Sequence, residues 1–200
     1  MKEAEKGQIE EVRGQGSKDQ RTDFGGQKSN VRRLAFIALG ANVGDCKRNI
    51  LAAMAQLQKH SNEPLLRSSL WQTAPVDCPP GSPPFVNATV ALVPRPEDTP
   101  QSLFAKLQAL EKTFGRKPKT ILNEPRPLDL DLIAFGNEMG AGKVLTLPHP
   151  RAHLRRFVLQ PLSEIAPDFV FPGQSKTVSQ LLRALPPDER MRKIEVAEQT

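Results

Sequence analysis

The stretch Pro125-Arg126-Pro127-Leu128-Asp129-Leu130-Asp131-Leu132-Ile133-Ala134-Phe135 reads as a β-strand with two carboxylates where a strand normally carries core. Side chains alternate across a strand, so Leu128, Leu130 and Leu132 share one face and Asp129 and Asp131 the other. Same-face neighbours stand about 6.5–7 Å apart along a strand. That separation lets two carboxylates grip one or two hard cations, but it is too large for them to share a proton. Arg126, just upstream, is placed to meet phosphate oxygens bidentately. Acid pair, cation and arginine together suggest magnesium-assisted phosphoryl-type transfer. The same alternation also describes the wet face of a half-exposed antiparallel strand whose aspartates pair with surface lysines. Against that, aspartate is a poor strand former, and here two of them occupy the best-patterned strand in the chain.

Upstream, the continuous apolar run Leu34 to Leu39 reads as a buried strand. It enters the turn Gly40-Ala41-Asn42-Val43-Gly44-Asp45, where Asp45 is an N-cap candidate for a helix from about Cys46 to His60. Leu65 to Thr73 reads as a strand, Ala74 to Pro84 as a proline-rich loop and Phe85 to Val93 as a further strand. Thr99-Pro100 opens a second helix with Leu103, Phe104, Leu107, Leu110 and Phe114 on one stripe, and Gly115 stops it. Arg116 to Pro127 is a basic loop leading into the Asp-Leu-Asp strand. A hairpin tip follows at Gly136 to Gly142, then Lys143 to Leu147, with short helices near Arg156 to Ile165 and Thr177 to Leu185. Gly140-Ala141-Gly142-Lys143 is not a phosphate loop, because Val144 stands where Ser or Thr is needed. The order strand, helix, strand, strand, helix, strand predicts a split βαβ arrangement, an α+β fold with helices on one face of a mainly antiparallel sheet. The other face is then free for a site that includes Asp129 and Asp131.

Composition sets outer bounds. The 200 residues suit one domain, expected over 33–190, with a disordered polar tail at 1–32 and a flexible C-terminus at 191–200. The N-terminal stretch has no apolar segment of signal-peptide type. Cys46 and Cys78 are too few for a disulfide framework or a zinc site, so a cytoplasmic setting is expected. The net charge of +6 fits an anionic ligand, nucleotide or nucleic acid.

The motifs Gly40-Ala41-Asn42-Val43-Gly44, Thr73 to Val76, Phe85-Val86-Asn87, Pro125-Arg126 with Asp129-Leu130-Asp131, and Leu147-Pro148-His149-Pro150-Arg151 through Pro161-Leu162 occur together in order. In this combination, from about Arg33 to Arg183, the chain resembles the 6-hydroxymethyl-7,8-dihydropterin pyrophosphokinases of folate biosynthesis. The resemblance implies a ferredoxin-like core and transfer of pyrophosphate from the co-substrate ATP to the pterin hydroxymethyl oxygen, with release of AMP. It also implies two Mg²⁺ ions on Asp129 and Asp131, and Arg116 and Arg126 on phosphate oxygens. Gln108, Glu111, Leu132 (through its backbone), His149 and Arg155 would then complete the ATP site. Phe85 and Phe157 would stack on the pterin, Asn87 would pair with its edge, and Thr73 and Val76 would line the slot. No nucleic acid or membrane partner is implied; a neighbouring folate-pathway enzyme is a candidate partner.

The chain departs from the family pattern beside Arg126. Leu122, Asn123 and Glu124 replace a basic residue, a tryptophan and a glycine, and Pro118 replaces an arginine. These changes predict weaker closure over ATP. A relative that binds pterin or nucleotide without turnover is therefore the first alternative. A nucleic-acid-binding module is the second, disfavoured by only 5% aromatic residues and no tyrosine.

Overall fold

The computed structural model describes residues 34–116 and 124–195. Strand β1 (Ala35–Ala41) pairs antiparallel on one side with β4 (Phe85–Leu92) and on the other with β5 (Asp129–Phe135). Strand β3 (Leu70–Thr73) continues the sheet beyond β4, and the short β2 (Leu66–Arg67) pairs with β4 as well. The resulting order β5-β1-β4-β3 is the ferredoxin-like arrangement expected of a split βαβ chain.

Two helices cover one face. In α1 (Cys46–Gln58) the Asp45 side chain accepts from the Arg48 N–H, which caps the helix as expected. In α2 (Pro100–Thr113), Thr99 and Ser102 form a reciprocal capping box with Pro100 in the first turn. Ile50, Met54, Leu57, Leu103 and Leu107 meet Ile37, Leu39, Val90, Leu130 and Leu132 in the larger core. Gly115, at φ +86°, takes the left-handed conformation that ends α2 and turns the chain towards Arg116.

The opposite face is divided. Helices α3 (Arg156–Ile165) and α4 (Val178–Ala184) cover its outer half, where Val158, Leu159, Leu162 and Val178 pack on Phe36, Ala91, Ile133 and Ala134. The two core helices thus lie on one face as expected, and the C-terminal helices leave only part of the other face open. A bulge in β5 explains how Ile133 and Ala134 both reach this second core. Ala134 pairs with Phe36 and Leu132 with Ile37, so Ile133 is the extra residue. Its carbonyl accepts from the His149 N–H at 2.9 Å, which hooks the His149 segment onto β5.

Three expectations are corrected. Leu65 to Thr73 is not one strand, because Ser68 and Ser69 interrupt the pairing; the Ser68 hydroxyl accepts from the Thr89 N–H, substituting for a ladder bond. The hairpin after β5 is built from β6 (Gly140–Ala141) and β7 (Thr146–Leu147), so its tip lies at 142–145 rather than at Gly136 to Gly142. Residues 192–194, expected within a flexible C-terminus, form β8 (Arg192–Ile194), which pairs with β3 and extends the sheet. The tail at 1–32 lies outside the described residues. No described helix is long and apolar enough to cross a membrane.

Candidate active site

The open part of the second face is organised by one row of paired residues. Gly40 on β1 stands opposite Asn87 on β4 and opposite Asp129 on β5. Glycine at the centre keeps a trough open between an amide and a carboxylate. A Cβ at position 40 would lie 3.2 Å from Asn87 Oδ1 and 3.9 Å from both Asp129 Cβ and Phe85 Cδ1. The side chains of β5 alternate as expected: Asp129 and Asp131 both line this trough, and Leu130 and Leu132 are buried in the larger core.

Most of the candidate residues converge here. Thr73, Val76, Phe85, Asn87 and Phe157 line the trough together with Arg116, Arg126, Asp129, Asp131, His149 and Arg155. Asn87 is buried, and its amide donates to Thr73 Oγ1 at 2.7 Å, which leaves Oδ1 turned towards Gly40. The Arg155 guanidinium lies 5.4 Å from the Phe157 ring centroid, within cation–π range. A second depression adjoins the first. It is lined by Phe104, Gln108, Glu111 and Lys112, and it shares Arg116, Asp129 and Asp131 with the trough. Leu132 lines neither depression. Its neighbour Leu130 directs its N–H to Glu111 rather than to a strand, so Leu132, two residues on, presents its backbone to the same free edge of β5.

The charged groups form a connected network. Arg116 donates to Asp129 Oδ1 at 2.8 Å and Arg126 to Asp129 Oδ2 at 2.9 Å. Arg116 also pairs with Glu111, whose Oε1 accepts from the Leu130 N–H at 2.7 Å. Glu111 is therefore no ordinary surface residue; it is 6% exposed and ties α2 to the edge of β5. Burial pushes its carboxyl up to about 7, against the pull of the Leu130 N–H and Arg116. Burial, and then the charge of Asp129, pushes Asp131 up to about 6, with Arg155, Arg116 and Arg126 opposing. Two desolvated carboxylates beside three guanidiniums make a site suited to bring anion and cation together.

His149 behaves differently. Burial, then the charges of Arg155 and Arg151, hold its imidazole down to about 4. Its Nδ1 accepts from the Arg151 N–H at 3.2 Å, so the hydrogen of the neutral ring sits on Nε2, ready to donate. Because the folded value lies below the ordinary 6.5, protonation favours unfolding, and stability is lost as pH falls from about 6.5 towards about 4. A histidine NMR titration of the ligand-free protein should show His149 turning over near pH 4; a midpoint near the ordinary value would refute the buried, neutral assignment.

A family model described as 7,8-dihydro-6-hydroxymethylpterin-pyrophosphokinase (HPPK) matches residues 36–167. The chain belongs to the HPPK family. A Synechocystis 2-amino-4-hydroxy-6-hydroxymethyldihydropteridine pyrophosphokinase is 39% identical over 148 residues, covering 74% of each chain. The enzyme of that name from Haemophilus influenzae is 36% identical over 150 residues, 74% of this chain and 91% of the relative. Among solved structures, the wild-type Plasmodium falciparum HPPK-DHPS superposes with a TM-score of 0.61 at 13% identity, which supports the fold. The match covers 82% of this chain and 48% of that one, so this HPPK-family chain spans about half the length of the HPPK-DHPS chain. The expectation of an ATP-dependent pyrophosphokinase in the folate pathway is borne out at the level of the family.

Some residues of this trough carry no functional signal in the sequence. Arg151 and Cys78 line the trough, as does Asp77, which adopts φ +54°. An aspartate in a proline-rich loop is a known tenant of the left-handed region, which is the only signal Asp77 offered. Lys112 adds a cation to the second depression. Leu122, Asn123 and Pro118 lie outside the described residues. The Glu124 carbonyl accepts from Arg126 Nε at 3.1 Å.

Proposed function

We propose that this HPPK-family chain transfers the terminal pyrophosphate of ATP to the hydroxymethyl oxygen of 6-hydroxymethyl-7,8-dihydropterin. The observation that carries the reading is the sharing of Asp129, Asp131 and Arg116 between two adjoining depressions. The first joins aromatic and amide walls, suited to a flat, polar-edged heterocycle, to the Arg126 and Arg155 guanidiniums and the His149 imidazole. The second combines Phe104 and Leu130 with Gln108 and Lys112, apolar and polar walls suited to a nucleoside.

In this reading the pterin lies between Phe85 and Phe157, with Asn87 Oδ1 accepting from its edge and Thr73 and Val76 lining the slot. The hydroxymethyl oxygen attacks the β-phosphorus of ATP, the bond from that phosphorus to the α–β bridging oxygen breaks, AMP leaves, and the hydroxyl proton is released. Arg116 and Arg126, now on Asp129, bind phosphate oxygens and stabilise charge as AMP departs. The neutral His149 donates from Nε2 to a phosphate or ribose oxygen, with Arg155 alongside. Gln108 and the backbone of Leu132 face the nucleoside, and Glu111 holds Arg116 at the junction.

Two Mg²⁺ ions are assigned to Asp129 and Asp131. Among the described residues, no three His, Cys, Asp or Glu side chains converge on one point. Two carboxylates suit an ion that keeps its waters and takes its remaining ligands from substrate phosphates. Bound there, the ions would neutralise the triphosphate and polarise the attacked phosphorus. Both cysteines are free, which supports a reducing, cytoplasmic setting. The Arabidopsis relative called "Folate synthesis bifunctional protein", 32% identical over 143 residues, supports a second folate-pathway enzyme as a neighbour or partner.

The test is AMP release from ATP that depends on the reduced pterin alcohol. Stoichiometric AMP supports transfer. Binding of either ligand without AMP at any Mg²⁺ concentration would favour the non-catalytic relative, which the replacements at Leu122, Asn123 and Glu124 make the one alternative worth testing. A second prediction concerns the trough. Gly40→Ala places a methyl 3.2 Å from Asn87 Oδ1, so the KM for the pterin should rise roughly tenfold with little change in the KM for ATP. An unchanged pterin KM would move the slot away from the Gly40–Asn87 row.

A further inference from the structure

Arg126 lies between two prolines, and its backbone is held on both sides. Pro125 and Pro127 have no N–H, so the Arg126 N–H is the only backbone donor among the three residues. It donates to Asn42 Oδ1 at 2.8 Å. In return the Asn42 N–H donates to the Arg126 carbonyl at 3.1 Å. One residue further on, Asn49 Nδ2 donates to the Pro127 carbonyl at 3.0 Å. Asn42 is the first residue after β1 and is 3% exposed, and Asn49 sits in the first turn of α1. Neither side chain lines the trough or the second depression.

We propose that Asn42, supported by Asn49, is a positioning residue that sets where the Arg126 guanidinium reaches into the site. The inference rests on the reading of Arg126 as a phosphate-binding group. Proline at 127 restricts Arg126 to extended backbone and proline at 125 fixes the preceding φ. The paired bonds to Asn42 fix the remaining freedom, the placement of this tripeptide against β1. The guanidinium then needs to settle only its own side-chain torsions to reach Asp129 or a phosphate. Asn42 Nδ2, by contrast, is buried without a partner among the described residues. The asparagine is thus used through its carbonyl oxygen and its backbone N–H alone.

A double-mutant cycle separates positioning from mere stability. Asn42→Leu keeps the bulk and removes the acceptor; Arg126→Met keeps the stem and removes the guanidinium. We expect Asn42→Leu alone to lower kcat/KM for ATP about 10- to 100-fold, the range seen when the support of a functional group is lost. In the Arg126→Met background the same change should cost less than about twofold, because no guanidinium remains to be positioned. Its effect on Tm should be similar in both backgrounds. A loss of equal size in both backgrounds, or no loss in the wild-type background, would overturn the inference while leaving the role of Arg126 intact. Wild-type activity in Arg126→Met would overturn that role and the inference with it. Should Asn42→Leu fail to fold, Asn49→Ala, which removes a single bond from a half-buried residue, replaces it in the cycle. A several-fold loss of kcat/KM confined to the wild-type background is then expected, and a loss shared by both backgrounds refutes the proposal.

Discussion

Asp131→Asn is expected to lower kcat by about a thousandfold while raising the Tm of the metal-free protein at neutral pH. The two effects share one cause. Burial and the neighbouring Asp129 push the Asp131 carboxyl up to about 6, above the ordinary value of 3.8. An acid whose folded value is raised holds its proton more tightly in the fold than in the unfolded chain. Its ionised form therefore costs stability above about pH 6, and that cost disappears as pH falls below about 4. Asparagine removes the charge without changing the shape, so the variant should melt higher at pH 7.5 and match wild type near pH 4. On the proposed assignment of Mg²⁺ to Asp129 and Asp131, loss of one of the two carboxylates would leave the metals under-held, hence the expected loss of turnover. Asp129→Asn should differ, because Asp129 carries both Arg116 and Arg126 on its two oxygens. Removing that charge leaves Arg116 paired with Glu111 alone and takes from Arg126 its ion pair with Asp129, so stability should fall together with activity. Near-normal turnover of Asp131→Asn at limiting Mg²⁺, or a lower Tm, would sink this account.

The core elements were legible because local and global signals agree on them. Asp45 and the Thr99–Ser102 pair cap α1 and α2, and the Leu103–Leu107 stripe faces the sheet as its spacing requires. The elements that were misread lack such agreement. Arg192–Ile194 carries no strand pattern and becomes β8 only because β3 offers it an edge. The cover that α3 and α4 provide over the second face could not be read from their own amphipathicity, which says that a helix packs but not against what.

The site follows the same division. Asp129 and Asp131 stood out because they break the composition of a strand. Glu111 is named only through the family resemblance, yet its position on the helix carried a signal of its own. It continues the i, i+4 series Leu103, Leu107, Glu111 into the buried stripe of α2, where a carboxylate needs a reason. That reason is tertiary: the free edge of β5 supplies the Leu130 N–H and the turn after Gly115 returns Arg116 to it. Asn42 and Asn49 were equally silent, since what they hold lies 84 and 78 residues away in sequence.

Asn87→Ala should raise the KM for the pterin about a hundredfold and leave the KM for ATP within about threefold of wild type. Asn87 is buried beside Gly40, and its amide orientation is fixed from behind: Nδ2 is committed to Thr73 Oγ1 at 2.7 Å, so Oδ1 is left for a ligand. A heterocycle that enters the trough leaves water, and its edge N–H groups then depend on acceptors in the wall. With alanine at 87 a buried donor finds none, which costs about 1–3 kcal/mol for each group left unpaired. The proposed phosphate end of the site does not involve Asn87, since Arg116, Arg126 and His149 stand on the segments around β5. Thr73→Val provides the graded control. It removes the hydroxyl that fixes the amide but leaves the amide itself, so the pterin KM should rise in the same direction by a smaller factor. Equal losses for ATP and pterin in Asn87→Ala would mean that Asn87 serves to hold β3 to β4, and that the pterin edge is read by other groups in the trough.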